Sequence, residues 1–349
     1  MPATVHPVSG EAPGIRWTLA EEEAAHALFD PDRIVARQVG VGAYRGMEFL
    51  HVNAKRLINQ VPPQSRMQFR FTINAYRGCS HACTYCFARP THEFLGFDKG
   101  QDFERKIVVK VNAVERVRAE LRSPRWRGDL IAMGTNTDPY QKAEGRYHLT
   151  RGVIEALVEA GNPFSILTKS TLILRDLDLL ASAARRVPVR VNLSIGTLDR
   201  AVWRLTEPGT PPPEKRLDAV RHLSRAGVTC GVLAAPILPG LSDDPASLEL
   251  LGEACAEAGA VSVTPLALHL RPGVKEHFMG WLAGSRPDLV EEYRRRFARR
   301  SYQGRTEQDR LRQAVMHGYR RAGGRPLSVA PASVPERPAA SPDAQLRLL

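Results

Sequence analysis

The alternation of strand-like and helix-like segments predicts an α/β fold, an incomplete (β/α)6 barrel of the TIM type. Three observations carry this. Short strand-like runs recur from about residue 69 onward, and from the second on they alternate with stretches of helical length. The amphipathic stretches Glu214 to Ala226 and Pro245 to Ala258 end at Gly227 and Gly259, which fit helix C-termini. Six such units fit into about 200 residues, whereas a full barrel of eight takes about 250.

In chain order the strands are expected at Phe69 to Tyr76, Asp129 to Thr135, Phe164 to Thr168, Val189 to Ile195, Val228 to Ala235 and Val261 to Leu268. Helices are expected at Leu149 to Ala160, Leu174 to Arg185, Glu214 to Ala226 and Pro245 to Ala258. This alternation implies parallel strands joined by helices. Before it, residues 1–65 read as an N-terminal extension, with a helix over Thr18 to Leu28 opened by the acids Glu21 to Glu23. Phe49 to Val61 has the composition of ordered chain but no assignable pattern. The barrel proper spans 66–273. A helical, Arg-rich extension over 274–325 follows, with helices at Val274 to Ala283 and Asp288 to Ala298. The Pro-, Ala- and Ser-rich residues 326–349 read as a disordered tail.

Of the 349 residues, 43% are hydrophobic and 25% charged, which supports an ordinary water-soluble core. Met1 to Arg16 holds no apolar run that would make a secretory signal. The longest apolar stretch, Val228 to Leu241, is interrupted by Pro236 and Pro239 and is too short to span a bilayer. The expectation is a cytoplasmic protein with no membrane partner. A net charge of +12 makes a nucleic acid a candidate partner, set against plain compositional drift in an Arg-rich chain.

Five cysteines, three of them within eight residues, argue for a metal centre in a reducing compartment and against a disulfide framework. The cluster reads Cys79-Ser80-His81-Ala82-Cys83-Thr84-Tyr85-Cys86. Three thiolates this close meet on one centre only if the loop wraps around it. A 4Fe-4S cluster takes four thiolates as a rule, so three leave one iron open for a cosubstrate. The alternative is a zinc knot in which His81 completes the three thiolates. Cys230 and Cys255 stand alone and read as core residues; His269 and Trp281 also read as structural.

Chemistry in (β/α) barrels gathers at the C-terminal ends of the strands. The cysteine loop follows the first strand, Gly134 to Tyr140 the second and Thr168-Lys169-Ser170 the third. Asn192-Leu193-Ser194 closes the fourth, and Pro236 to Gly240 follows the fifth. Together they offer hydroxyls and one cation, as a zwitterionic, ribose-bearing cosubstrate requires.

The run from Asn74 through Cys86 to Pro90, with Thr135-Asn136-Thr137-Asp138-Pro139-Tyr140-Gln141 and Thr168-Lys169-Ser170, resembles the spore-photoproduct-lyase-like branch of the radical S-adenosylmethionine (SAM) proteins. Similarity extends over residues 40–285, and the actinobacterial group fits it well. The resemblance implies a 4Fe-4S cluster on Cys79, Cys83 and Cys86, with SAM on its open iron. Tyr85 takes the aromatic place before the last cysteine, and Thr137, Lys169 and Ser194 align with SAM-contacting positions. Reductive cleavage of SAM to a 5′-deoxyadenosyl radical is the implied activity. A nucleic acid or nucleotide-like substrate and a flavodoxin- or ferredoxin-type electron donor are the implied partners. The alternatives are the same chemistry on a peptide or small metabolite, and a non-catalytic metal-stabilised nucleic-acid-binding module. At the position of the lyase's hydrogen-donor cysteine this chain has Thr135, whose O–H does not replace a weak S–H bond. Efficient spore photoproduct repair is therefore not expected.

Overall fold

The computed structural model describes residues 29–62, 65 and 67–325. The expected helix over Thr18 to Leu28 and the tail 326–349 lie outside them. Two sheets organise the chain. The larger has seven strands in the order β11-β10-β9-β8-β7-β4-β3, formed by β3 (Ile58–Gln60), β4 (Phe71–Ile73), β7 (Ile131–Met133), β8 (Phe164–Thr168), β9 (Val189–Ser194), β10 (Cys230–Ile237) and β11 (Val263–Ala267). From β4 to β11 every pairing is parallel, so the six expected strands are the six parallel strands of an open barrel. β3 extends the sheet by pairing antiparallel with β4, Ile58 opposite Ile73.

The smaller sheet has the order β1-β2-β6-β5, from β1 (Phe29–Val39), β2 (Glu48–Ala54), β5 (Tyr76–Arg77) and β6 (Lys106–Lys110). It corrects the first expected strand. The run Phe69 to Tyr76 breaks at Asn74-Ala75: only Phe71–Ile73 stays in the barrel, and Tyr76–Arg77 pairs with Val108 and Val109 of β6. The apolar residues on both sides of the break hid the change of sheet. The unassigned Phe49 to Val61 supplies most of β2 and all of β3.

The helices are α1 (Gln101–Arg105), α2 (Ala113–Leu121), α3 (Glu144–Tyr147), α4 (Leu149–Glu159), α5 (Leu177–Ala184), α6 (Arg200–Thr206), α7 (Pro213–Arg225), α8 (Pro245–Glu257), α9 (Val274–Ser285), α10 (Val290–Arg296) and α11 (Arg305–Arg321). Local chemistry accounts for several ends. Asp199 caps α6 by accepting from Ala201 N–H at 2.6 Å, and Asp244 caps α8 by accepting from Ser247 N–H at 2.9 Å, with Pro245 in the first helical position. α4 buries Leu149, Val153, Ile154 and Leu157, the spacing of one helical face, against the barrel sheet.

α11 falls inside the Arg-rich extension expected to be helical, at a place where no helix bounds were assigned. It buries Leu311, Val315 and Tyr319 and lies against α8 and β11. Two glycines let the helices touch. A Cβ on Gly252 would stand 2.1 Å from Val315 O, and one on Gly318 would stand 1.9 Å from Glu249 O. The crossing therefore excludes every side chain at both positions. Among the described residues no helix is long and apolar enough to cross a membrane.

Candidate active site

The cysteine loop leaves β5 and crosses the C-terminal ends of the barrel strands. Cys79 and Cys83 are buried and Cys86 is partly so. Cys86 packs against Cys79, Ala88 and Phe103 on one side and belongs to the apolar group around Cys83, Tyr85 and Phe278 on the other. Burial pushes the Cys83 thiol up to about 12, with nearby Glu207 adding to it. Cys79 is raised too, by burial and then by Asp138, Cys86 and Cys83. The thiols thus sense one another electrostatically across the loop.

Backbone bonds fix the loop's path. Thr84 N–H donates to Thr206 O at 3.0 Å, and Gly209 N–H donates to His81 O at 3.0 Å. A Cβ on Gly209 would stand 2.2 Å from Ser80 O, so the segment after α6 presses directly on the cysteine loop. From the other side the fully buried Arg89 donates to Cys83 O through Nε at 3.0 Å and Nη2 at 2.9 Å. The same guanidinium reaches Lys99 O, Gly100 O and the Glu104 carboxylate.

Beside the loop lies a buried polar group. Lys169, just past β8, donates through Nζ to Ser194 Oγ at 2.6 Å, Glu207 Oε1 at 3.1 Å and Ala235 O at 3.3 Å. Its ammonium sits 5.6 Å from the centroid of the Tyr85 ring. Ser194, the last residue of β9, donates to Ala235 O at 2.9 Å. The Tyr85 hydroxyl donates to Glu207 Oε1, and Arg216 from α7 donates to Glu207 Oε2 and, at 2.9 Å, to Ser194 O. Burial pulls the Glu207 carboxyl upward, but Arg216 and Lys169 outweigh it and hold Glu207 at about 2. Lys169 and Arg216 thus share the one Glu207 carboxylate.

Asp138 organises the neighbouring wall. It accepts from Thr168 Oγ1 at 2.7 Å, Lys169 N–H at 2.7 Å and Tyr140 N–H at 2.9 Å, and lies 3.3 Å from His81 Nδ1. Burial opposes its charge, yet His81 and these bonds keep it below the usual carboxylate range.

The family model of the radical SAM superfamily matches residues 73–251. The chain belongs to the radical SAM superfamily. An uncharacterized protein of Mycobacterium tuberculosis, Rv2578c, is 47% identical over 292 residues, covering 83% of this chain and 86% of its own. The radical SAM Nalpha-GlyT isomerase of Pseudomonas phage M6 is 28% identical over 164 residues, 47% of this chain and 32% of that enzyme. Among solved structures, spore photoproduct lyase complexed with dinucleoside spore photoproduct matches with a TM-score of 0.57 at 20% identity, over 78% of this chain and 79% of that one. That likeness is one of fold. It agrees with the expected partial barrel.

In this radical SAM enzyme Tyr85, Lys169 and Ser194 come together as one hydrogen-bonded group. Thr137 does not join them. Its hydroxyl donates to Gly78 O at 2.6 Å and accepts from Gln141 Nε2 at 2.8 Å, bracing the residue before Cys79 from below. Thr135 Oγ1 accepts from Asn74 Nδ2 at 3.3 Å. Cys230 opens β10 and Cys255 lies on α8, both fully buried, as expected of core residues. Sequence reasoning missed Glu207, Arg216, Arg89 and Asp138 as site residues. Only Asp138 carried a signal, and its Asp-Pro dipeptide reads equally as a turn.

The donor set fits the cluster that the family implies. Three cysteines share one buried loop, and its walls supply no competing fourth thiol. Among the described residues no group of three His, Cys, Asp or Glu side chains stands ready to hold a metal ion. Burial raises all three thiols, and a metal takes cysteine as thiolate, so ligation requires their protons to leave.

Proposed function

We propose that Cys79, Cys83 and Cys86 hold a 4Fe-4S cluster and that Lys169, Ser194 and Tyr85 form the wall that receives SAM. When bound, the cluster and SAM together would supply a 5′-deoxyadenosyl radical by one-electron cleavage of the sulfonium. The single observation that carries this reading is the bond from Tyr85, inside the cysteine motif, to the carboxylate that also holds Lys169. It ties the metal loop and the cation into one unit.

Each side chain then has a stated task. Lys169, paired with Glu207, would offer its ammonium to the carboxylate of SAM. Arg216 helps to keep Glu207 ionised as the partner of Lys169. Ser194 stands beside Lys169 at the end of β9, where a hydroxyl meets the polar part of the cosubstrate. Thr137 and Gln141 act one step back by holding Gly78. Arg89 fixes the Cys83 carbonyl and excludes water beneath the loop.

The substrate class that the charge favours is a nucleic acid or nucleotide-like molecule. A flavodoxin- or ferredoxin-type protein is the proposed electron donor. No thiol stands at Thr135, and the two free cysteines outside the motif are sealed in the core, so the hydrogen donor of a repair lyase is missing. The deciding experiment is anaerobic reconstitution with iron and sulfide, followed by reduction with SAM and measurement of 5′-deoxyadenosine with and without oligonucleotides. Formation of 5′-deoxyadenosine that rises with an oligonucleotide supports the reading. A zinc-loaded, colourless protein that leaves SAM intact would refute it.

A further inference from the structure

A second set of side chains beside the cysteine loop takes no part in the site above. Phe87, the residue after Cys86, is 50% exposed, and its ring centroid lies 6.1 Å from that of His269 at 35°. His269, just past β11, stacks on Tyr302 at 5.3 Å and 16°. Tyr302 is 49% exposed, and its hydroxyl accepts from Arg271 Nη2 at 2.7 Å. Three segments far apart in sequence thus build one row of rings: the cysteine loop, the end of the sixth barrel strand and the turn before α11. The last two are joined by a backbone bridge between His269 and Tyr302 and by Leu270 N–H donating to Ser301 O at 2.8 Å.

A single exposed ring needs no explanation. A row of three, with a guanidinium on its end ring and a metal-binding motif at the other end, is a built surface. Burial and Arg271 both lower His269, so its imidazole is neutral at pH 7 and presents a flat, uncharged face. Cationic residues flank Tyr302 in the chain. Arg299 and Arg300, which lead into Ser301-Tyr302, and Arg305 just beyond are exposed, with no acidic partner among the described residues. Several other arginines of the stretch are held by carboxylates: Arg310 pairs with Glu307 and Asp243, Arg321 with Glu249 and Glu253, and Arg296 with Glu292. What sets Arg299, Arg300 and Arg305 apart is their place in the chain, on either side of Tyr302.

We propose that Phe87, His269 and Tyr302 form a stacking platform for an unpaired base of a single-stranded nucleic acid, with Arg271, Arg299 and Arg300 on its phosphates. Every base has a π-face, so such a platform tolerates sequence but requires the base to be out of a duplex. A polyanion satisfies the cations as well as the rings; a neutral aromatic peptide satisfies the rings alone. The inference deepens the nucleic-acid reading above and requires neither cluster nor SAM for its test.

The test is fluorescence anisotropy of the full chain with a labelled mixed-sequence 12-nucleotide DNA strand, the same strand annealed to its complement, and a neutral Trp-containing peptide. The single strand should bind more tightly than the duplex. Tyr302→Leu and Phe87→Leu should each weaken it about fivefold or more, the effect of losing one stacking face. Tyr302→Phe should bind within about twofold of wild type, since the ring is what stacks. The double variant Arg299→Gln, Arg300→Gln should reduce the slope of log affinity against log salt by roughly 1.4, at about 0.7 for each phosphate of a single strand. Equal affinity for the duplex, leucine variants that bind like wild type, or peptide binding with the same ring dependence would each overturn the platform. Absence of 5′-deoxyadenosine from the reconstituted enzyme would overturn the proposed function and leave these affinities as they are, so the two failures are distinguishable.

Discussion

Lys169 Nζ lies 3.1 Å from Glu207 Oε1, and Arg216 holds the other oxygen of that carboxylate. The pair joins the third barrel strand to the segment after α6, two places 38 residues apart in sequence. It also fixes the charge that SAM would meet. Arg216 and Lys169 together outweigh the burial of Glu207 and keep its carboxyl below the ordinary range.

The acid side of the stability curve should report Glu207. Its folded value of about 2 lies below its ordinary 4.5, a depressed carboxyl. Its contribution is therefore complete above about pH 4.5 and is lost as pH falls towards 2. The shift corresponds to about 3 kcal/mol at the rate of 1.36 kcal/mol for each pH unit. Denaturant unfolding of wild type should weaken over that window more steeply than that of Glu207→Gln. Parallel curves would show that folding does not shift the Glu207 carboxyl.

Lys169→Ala should bind SAM roughly tenfold more weakly or worse, because a charge-assisted hydrogen bond is worth about 1.5–3 kcal/mol. Iron content should not change. Equilibrium dialysis with labelled SAM and an iron assay on one preparation check both halves, and unchanged SAM affinity would mean that Lys169 serves only Glu207.

Reconstituted wild type should carry about four irons for each chain, as one 4Fe-4S cluster requires. Replacing Cys79, Cys83 or Cys86 by Ala should abolish that iron, and replacing Cys230 or Cys255 by Ser should not. Those two positions are fully buried, so the serine variants should lose thermal stability while keeping the brown chromophore.

Gly209→Ala should disturb the metal loop from a distance. The added methyl would meet Ser80 O at 2.2 Å, and backbone cannot move aside as a flexible side chain can. The expected result is a folded protein with lower iron uptake and a melting point several degrees below wild type, read by circular dichroism and iron assay. Full iron uptake would show that the loop has slack.

Much of this molecule was legible before any fold was known. The six parallel strands lie within a few residues of their expected places, because buried parallel strands are local apolar runs and the helices between them carry their own caps and stops. The three cysteines of the proposed cluster were legible for a similar reason: ligands supplied by one loop must be close in sequence. The local pattern failed where the chain changed sheets. Phe69 to Tyr76 is continuously strand-like, yet β4 ends at Ile73 and β5 joins β6, a pairing that depends on Val108 and Val109 more than thirty residues later. It failed again over α11, where arginine content hid the bounds of a helix whose contact with α8 turns on Gly252 and Gly318.

The sequence by itself determined the cysteine motif, the direction of the strands and the end of the barrel where polar residues gather. Tertiary structure alone decided which charges meet. Glu207, Arg216 and Arg89 are ordinary surface letters in the sequence, since a charged residue in a loop is usually solvated. Only folding takes them from water, and burial makes each find its partner, because an unpaired charge in a low-dielectric interior costs several kcal/mol or more. That requirement places Glu207 between Lys169 and Arg216, and leaves Arg299 and Arg300 outside, where water still covers them.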